Sequence, residues 1–240
     1  MSGHNKWSSI KHKKAKEDAK KGKAFSRLAK ELTVAARTGG GDPAGNARLK
    51  SAIQAARAVN MPKDNIEQAI RRGTGELPGV SYDELHYEGY GPGGVAVFVE
   101  VLTDNRNRST ADIRHIFSKY GGNMGENGCV SWIFERKGQI LVDGTFSEDT
   151  LFEVATEGGA EDIGPEEGNY QVLCAEDALS DLQDLFEEKE IPVISAERIM
   201  IPTNTVEVDK ALGDKLIRFL DILEDHDDVQ NVWVNADFVD

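Results

Sequence analysis

Residues 95 to 103 read VAVFVEVLT, and this run decides the fold class of most of the chain. Valines recur at 95, 97, 99 and 101 in a short segment rich in β-branched residues, which is the pattern of a strand. Just upstream, GYGPGG (89–94) separates it from a second alternating stretch, Tyr82 to Tyr90. That Gly-rich run lacks the GxxxxGK[ST] pattern and is flanked by strands on both sides, so it predicts a hairpin turn and not a phosphate loop. Downstream, TDNRNR (103–108) predicts a polar loop, and Ser109 with Asp112 has the spacing of a capping box. The helix that follows carries Ile113, Ile116, Phe117 and Tyr120 on one face. The run GGNMGENG (121–128) stops it, and the alternation of Val130, Trp132 and Phe134 predicts another strand.

Working outward, Arg136, Lys137 and Gly138 punctuate the chain, and a new unit begins. Strand 139–143, helix 148–157, strands 160–163 and 169–174, helix 178–189 and strand 194–201 follow the βαββαβ order of ferredoxin-like domains. After Pro202 come strand 204–208, helix 210–225 and strand 229–236. The strand–helix–strand pieces before residue 136 and after residue 202 make a second such set, so one ferredoxin-like domain is expected to be inserted into another. On the other side, residues 15–38, 46–58 and 62–73 have helical periodicity, with Phe25, Leu28, Leu32, Ala35 and Ala36 as one stripe. The expected class is α+β. A basic helical domain with a mobile arm (1–78) precedes a discontinuous α/β domain (79–135 plus 202–240) and an inserted ferredoxin-like domain (136–201).

Charge divides the same chain differently. Residues 1–30 hold ten Lys or Arg and two acids, within a protein of formal net charge −14. Residues 1–72 carry 17 basic and 6 acidic side chains, while 73–240 carry 11 and 36. A basic head on an acidic body points to a polyanionic partner, because lysines neutralise phosphates and release counterions without reading sequence. The candidate nucleic-acid contacts are Lys6, Lys11, His12, Lys13, Lys14, Lys16, Lys20, Lys21, Lys23 and Arg27. Trp7 is interleaved with them as an aromatic that can stack on a base, whereas Phe25 belongs to the apolar stripe. Arg106 and Arg108, just before a helix N-terminus, are the second candidate, either as a phosphate site or as partners of the acidic body.

No apolar run reaches the roughly 18 residues that span a membrane, and the N-terminal stretch lacks the apolar core of a secretory signal. Cys129 and Cys174 fall in predicted strands with no CxxC spacing, which predicts buried free thiols in a reducing cytosol. The five histidines are scattered without metal-ligand spacing, and neither GxSxG nor HExxH occurs. The carboxylates Asp225, Asp227 and Asp228 fall on loop ends. No catalytic constellation, cofactor site or metal site is expected.

Long stretches resemble the YebC family, which includes bacterial YebC proteins and the mitochondrial translational activator of cytochrome c oxidase subunit I. They are GHNKWSSIKHKKAKEDAKKGKAFSRLAKELTVAAR (3–37), GGGDPAGNARLKSAIQAARAVNMPKDNIEQAI (39–70), YEGYGPGGVAVFVEVLTDNRNRSTADIRHIFSKYGGNMGENG (87–128) and SWIFERKG (131–138). The resemblance implies a cytoplasmic, three-domain, non-enzymatic protein. It implies either a DNA-binding transcriptional regulator or a ribosome-associated, RNA-binding translation factor that helps with difficult sequences such as proline runs. An enzyme acting on RNA is the remote alternative. The family's basic N-terminal domain corresponds to Lys11, Lys13, Lys14, Lys20, Lys21, Lys23 and Arg27, and its TDNRNR loop to residues 103–108. The expected partner is DNA or ribosomal RNA, with the ribosome as a further candidate and no membrane.

Overall fold

The computed structural model describes residues 17–239, with side chains from residue 22. The architecture is α+β: a helical head, then sheet-and-helix units, one set within the other. Among the described residues, chain contacts divide it into one unit before residue 135 and after residue 201, and a second at 135–201.

In the first unit the head comprises α1 (Glu17–Gly39), α2 (Ala47–Ala58) and α3 (Lys63–Gly73). Leu32, Ala35, Ala36, Leu49, Ala52, Ala56, Met61, Ile66 and Ala69 form its core, with Phe25 and Leu28 packed at the margin. Asn46 ties two helices together. Its side chain caps α2 by accepting from the Leu49 N–H and donates to the carbonyls of Ala35 and Gly40 at the end of α1. Gly73 is required by close approach, since a Cβ there would lie 2.3 Å from the Thr33 carbonyl on α1.

The rest of this unit holds β1 (Asp83–Tyr90), β2 (Ala96–Thr103), α4 (Arg106–Lys119) and a two-residue β3 (Asn123–Met124). After the other unit it resumes with β8 (Val206–Val208), α7 (Lys210–Asp225), β9 (Val229–Val234) and β10 (Ala236–Phe238). The main sheet runs β3-β1-β2-β9, every pair antiparallel. Valines 95, 97, 99 and 101 pack with Ile113 and Phe117 of α4 and with Leu216, Phe219, Leu220 and Leu223 of α7. The alternation is only half the story, because β2 is buried along nearly its whole length. This is what an inner strand of a covered sheet requires.

Three expected elements are placed differently. The strand at 204–208 does not enter the main sheet: β8 pairs in parallel with β10, and β1 occupies the inner position beside β2. The GYGPGG hairpin makes that possible by returning β1 directly onto β2, with Tyr90 opposite Ala96. Residues 130–133 are not a strand, which begins only at Phe134. Ser131–Ile133 is a 3₁₀ turn, and the buried Glu88 carboxylate accepts the N–H groups of Gly128, Val130 and Ser131, which curls the chain. The helix after TDNRNR begins at Arg106, not at Ser109, because Asn105 caps it by accepting from the Arg108 N–H.

The second unit contains β4 (Phe134–Val142), α5 (Glu148–Glu157), β5 (Asp162–Glu166), β6 (Asn169–Ala175), α6 (Leu179–Glu188) and β7 (Val193–Pro202). Its sheet order β5-β6-β4-β7 is the ferredoxin-like arrangement. Ile140, Val142, Leu151, Val172, Leu182 and Phe186 form a separate core. Cys174 is buried in that core, whereas Cys129 is half-buried in the turn before Ser131. Burial pushes the Cys174 thiol up to about 11.

Candidate nucleic-acid interface

On α1, positions 23, 27 and 30 recur at i, i+4 and i+7, so their side chains leave the helix on one side while Leu28 and Leu32 turn to the head core. That basic side meets the C-terminal end of α7 and the turn after it, Glu224–Asp228, which reads EDHDD. Lys23 Nζ donates to the Asp225 carbonyl at 2.9 Å and to its carboxylate at 3.0 Å. Arg27 donates to the Glu224 carbonyl. Lys30 Nζ donates to the Asp227 carbonyl at 2.9 Å and to the Asp228 carboxylate at 2.7 Å. The last carbonyls of a helix have no intrahelical donor and form its negative pole, so Lys23 and Arg27 there satisfy both hydrogen bonding and charge, and Lys30 extends the arrangement into the turn.

Asp228 is the centre of the arrangement. Its side chain is only 4% exposed and faces four donors from three segments. Lys30 binds one oxygen, while Arg108 (2.9 Å), Ser109 Oγ (2.8 Å) and Thr103 Oγ1 (3.1 Å) surround the other. His226 Nδ1 accepts the Asp228 backbone N–H from within the same turn. Burial alone would raise the carboxyl pKa, but the bonds from Lys30, Arg108 and Ser109 prevail and hold it well below the usual carboxylate range. Arg108 also pairs with Asp104 at 2.8 Å, and these acids raise its pKa. Around them lies an open cleft of about 940 Å³, lined also by Ser26, Tyr82, Asp112 and His226.

The expected contacts therefore fall into groups. Lys6, Lys11, His12, Lys13, Lys14 and Lys16 lie outside the described residues, as do the side chains of Lys20 and Lys21 in the first turns of α1. Lys23, Arg27 and Arg108 are brought together, but around carboxylates of the same chain. Arg106 is exposed and does not line the cleft. Both arginines sit in the first turn of α4 and not in the loop before it. Asp228 is not a solvated loop end, although Asp225 and Asp227 are exposed. Sequence reading missed it because its partners lie 119 to 198 residues away along the chain. Among the described residues no group of His, Cys, Asp or Glu is disposed to hold a metal ion, and no helix is long and apolar enough to cross a membrane.

Comparison with known proteins places this geometry in a family. A family model described as the TACO1/YebC protein N-terminal domain matches residues 5–76, and one described as the TACO1/YebC second and third domain matches 82–236. A "Probable transcriptional regulatory protein" of Geobacter sulfurreducens is 55% identical over 237 residues, covering 99% of this chain and 96% of its own. One of the same description from Desulfotalea psychrophila is 58% identical over 239 residues, covering 99% and 96%. The crystal structure of a conserved hypothetical protein from Aquifex aeolicus superposes with a TM-score of 0.85 at 45% identity, covering 93% of each chain. With the two family models matching most of the chain and relatives of this identity along its full length, the chain belongs to the TACO1/YebC family.

Proposed function

We propose that this protein is a non-enzymatic, cytoplasmic regulator of gene expression that binds nucleic acid through its basic head. The observation that carries the reading is the polarity of charge: ten Lys or Arg against two acids in residues 1–30, on a body with a large acidic excess. Phosphates would be held by Lys6, Lys11, Lys13, Lys14, Lys16, Lys20 and Lys21, with His12 among them. Lys23 and Arg27 would be shared between the phosphates and the acidic turn at 224–228. The domain plan behind this is a head at 1–78, a discontinuous domain at 79–135 and 202–240, and an insert at 136–201. The relatives' description as probable transcriptional regulatory proteins supports DNA as the partner.

A second reading, an RNA- or ribosome-associated factor acting in translation, is favoured by the composition of the head. Reading base edges in a major groove calls for Arg, Asn or Gln on the inserted helix, and the first thirty residues offer lysine almost throughout. Lysine holds phosphates as a point charge and suits a folded RNA equally well. Crosslinking in cells, followed by sequencing of both bound DNA and bound RNA, separates the two. Recovery of neither overturns the nucleic-acid reading as a whole.

A further inference from the structure

Trp132 is 67% exposed, the most exposed of the large apolar side chains described, and nothing in the head-based reading uses it. It sits on the 3₁₀ turn Ser131–Ile133, between buried Val130 and buried Ile133 and Phe134. Its indole N–H donates to the Cys129 carbonyl at 3.1 Å, and the Tyr90 hydroxyl donates to the same carbonyl at 3.2 Å. Tyr90 is itself 39% exposed. Both polar handles are therefore satisfied within the protein, and what each ring offers to solvent is π-surface.

The support beneath the rings is fixed. The carboxylate of Glu88 takes the N–H groups of Gly128, Val130 and Ser131 at 2.7 to 2.8 Å. On the other side of the turn, the Ile133 carbonyl accepts from both the N–H and the hydroxyl of Thr203. A ring held this way loses little freedom when something stacks on it. The neighbours in the turn are Asn123, Glu126 and Asn127, all exposed and polar. A protein partner requires a contiguous apolar patch of several hundred Å², whereas a single stacked base requires only a ring face. Lys119 ends α4 at the same edge of the sheet, four residues before Asn123, which pairs with Tyr90.

We infer that Tyr90 and Trp132 form a stacking platform for an unpaired nucleobase, which rests on the nucleic-acid reading and narrows its ligand to strands with bases available outside a duplex. The test uses the full chain and three probes: an unstructured oligoribonucleotide, an abasic oligonucleotide of the same length, and a duplex DNA. The native protein is expected to bind the base-bearing strand about 5- to 100-fold more tightly than the abasic one. Trp132→Ala should erase that difference while leaving duplex affinity unchanged, and Trp132→Phe should restore part of it. Equal affinity of the native protein and Trp132→Ala for the base-bearing strand overturns the platform and leaves phosphate binding by the head standing. Failure of the native protein to bind any probe removes the nucleic-acid reading and the platform together.

Discussion

Two carboxylates, Asp228 and Glu88, do work that their side-chain type does not announce. Each is nearly fully buried and each is surrounded by donors. Removing the charge of a buried, paired group leaves its partners uncompensated, so Asp228→Asn should cost about 3 kcal/mol of unfolding free energy, measured by urea denaturation. The depressed pKa of Asp228 gives the pH dependence a sign. Its contribution is fully present above the unfolded carboxyl value of about 3.9 and is lost as pH falls through the lower folded value. The acid limb of the native stability curve should therefore be steeper than that of Asp228→Asn, which has no carboxyl to protonate there. At Glu88, burial raises the pKa, but the backbone donors Gly128, Val130 and Ser131 outweigh it and lower it. Glu88→Gln should cost about 1–3 kcal/mol and loosen the 128–133 turn, read by hydrogen exchange. Neither role was legible in the sequence. A Glu in an alternating strand and an Asp in an acidic run both look solvated, and only the fold sets their donors against them.

At the scale of elements, the periodicities of α1 and α7 and the valines of β2 were legible because burial repeats with the element's own period. The placement of β8 was not, since three residues of alternating pattern fit an edge pair as well as a central seat. The basic side of α1 shows the limit most clearly. Its lysines announce affinity for anions, and the fold supplies an anion from within, the negative pole of α7 and the EDHDD turn. Nucleic acid that uses Lys23, Arg27 and Lys30 must compete with that turn. Asp225→Asn combined with Asp227→Asn, both exposed positions, should therefore raise affinity for duplex DNA several-fold at low salt, with the gain shrinking as salt rises. Replacing Lys13, Lys14, Lys20 and Lys21 with Glu should weaken binding by orders of magnitude without unfolding the body, followed by fluorescence anisotropy with circular dichroism as the control.

For the whole molecule, the division of charge predicts how binding responds to ions. If the head neutralises about five to eight phosphates, log K against log[salt] should fall with a slope of roughly −4 to −7 on duplex DNA. A flat titration would remove the phosphate mechanism. The insertion of one α/β unit into another was legible because each half of the outer one was incomplete alone. The strand at 82–90 and its hairpin to β2 were legible too, but its inner seat in the outer sheet was not, because β1 precedes the pattern it completes. That nesting also sets a clock during synthesis. The edge of β2 that β9 will cover is made long before β9 emerges, since β2 ends at Thr103 and β9 starts at Val229. At ribosomal elongation speeds of roughly 5–20 residues per second, the intervening stretch takes on the order of 6–25 s. Throughout that interval VAVFVEV carries an unpaired rim, while β4 to β7 already have every strand of their own sheet in hand before β9 is made. Nascent chains halted just before Val229 should therefore be the most prone to clump of any length series, as read by sedimentation after release.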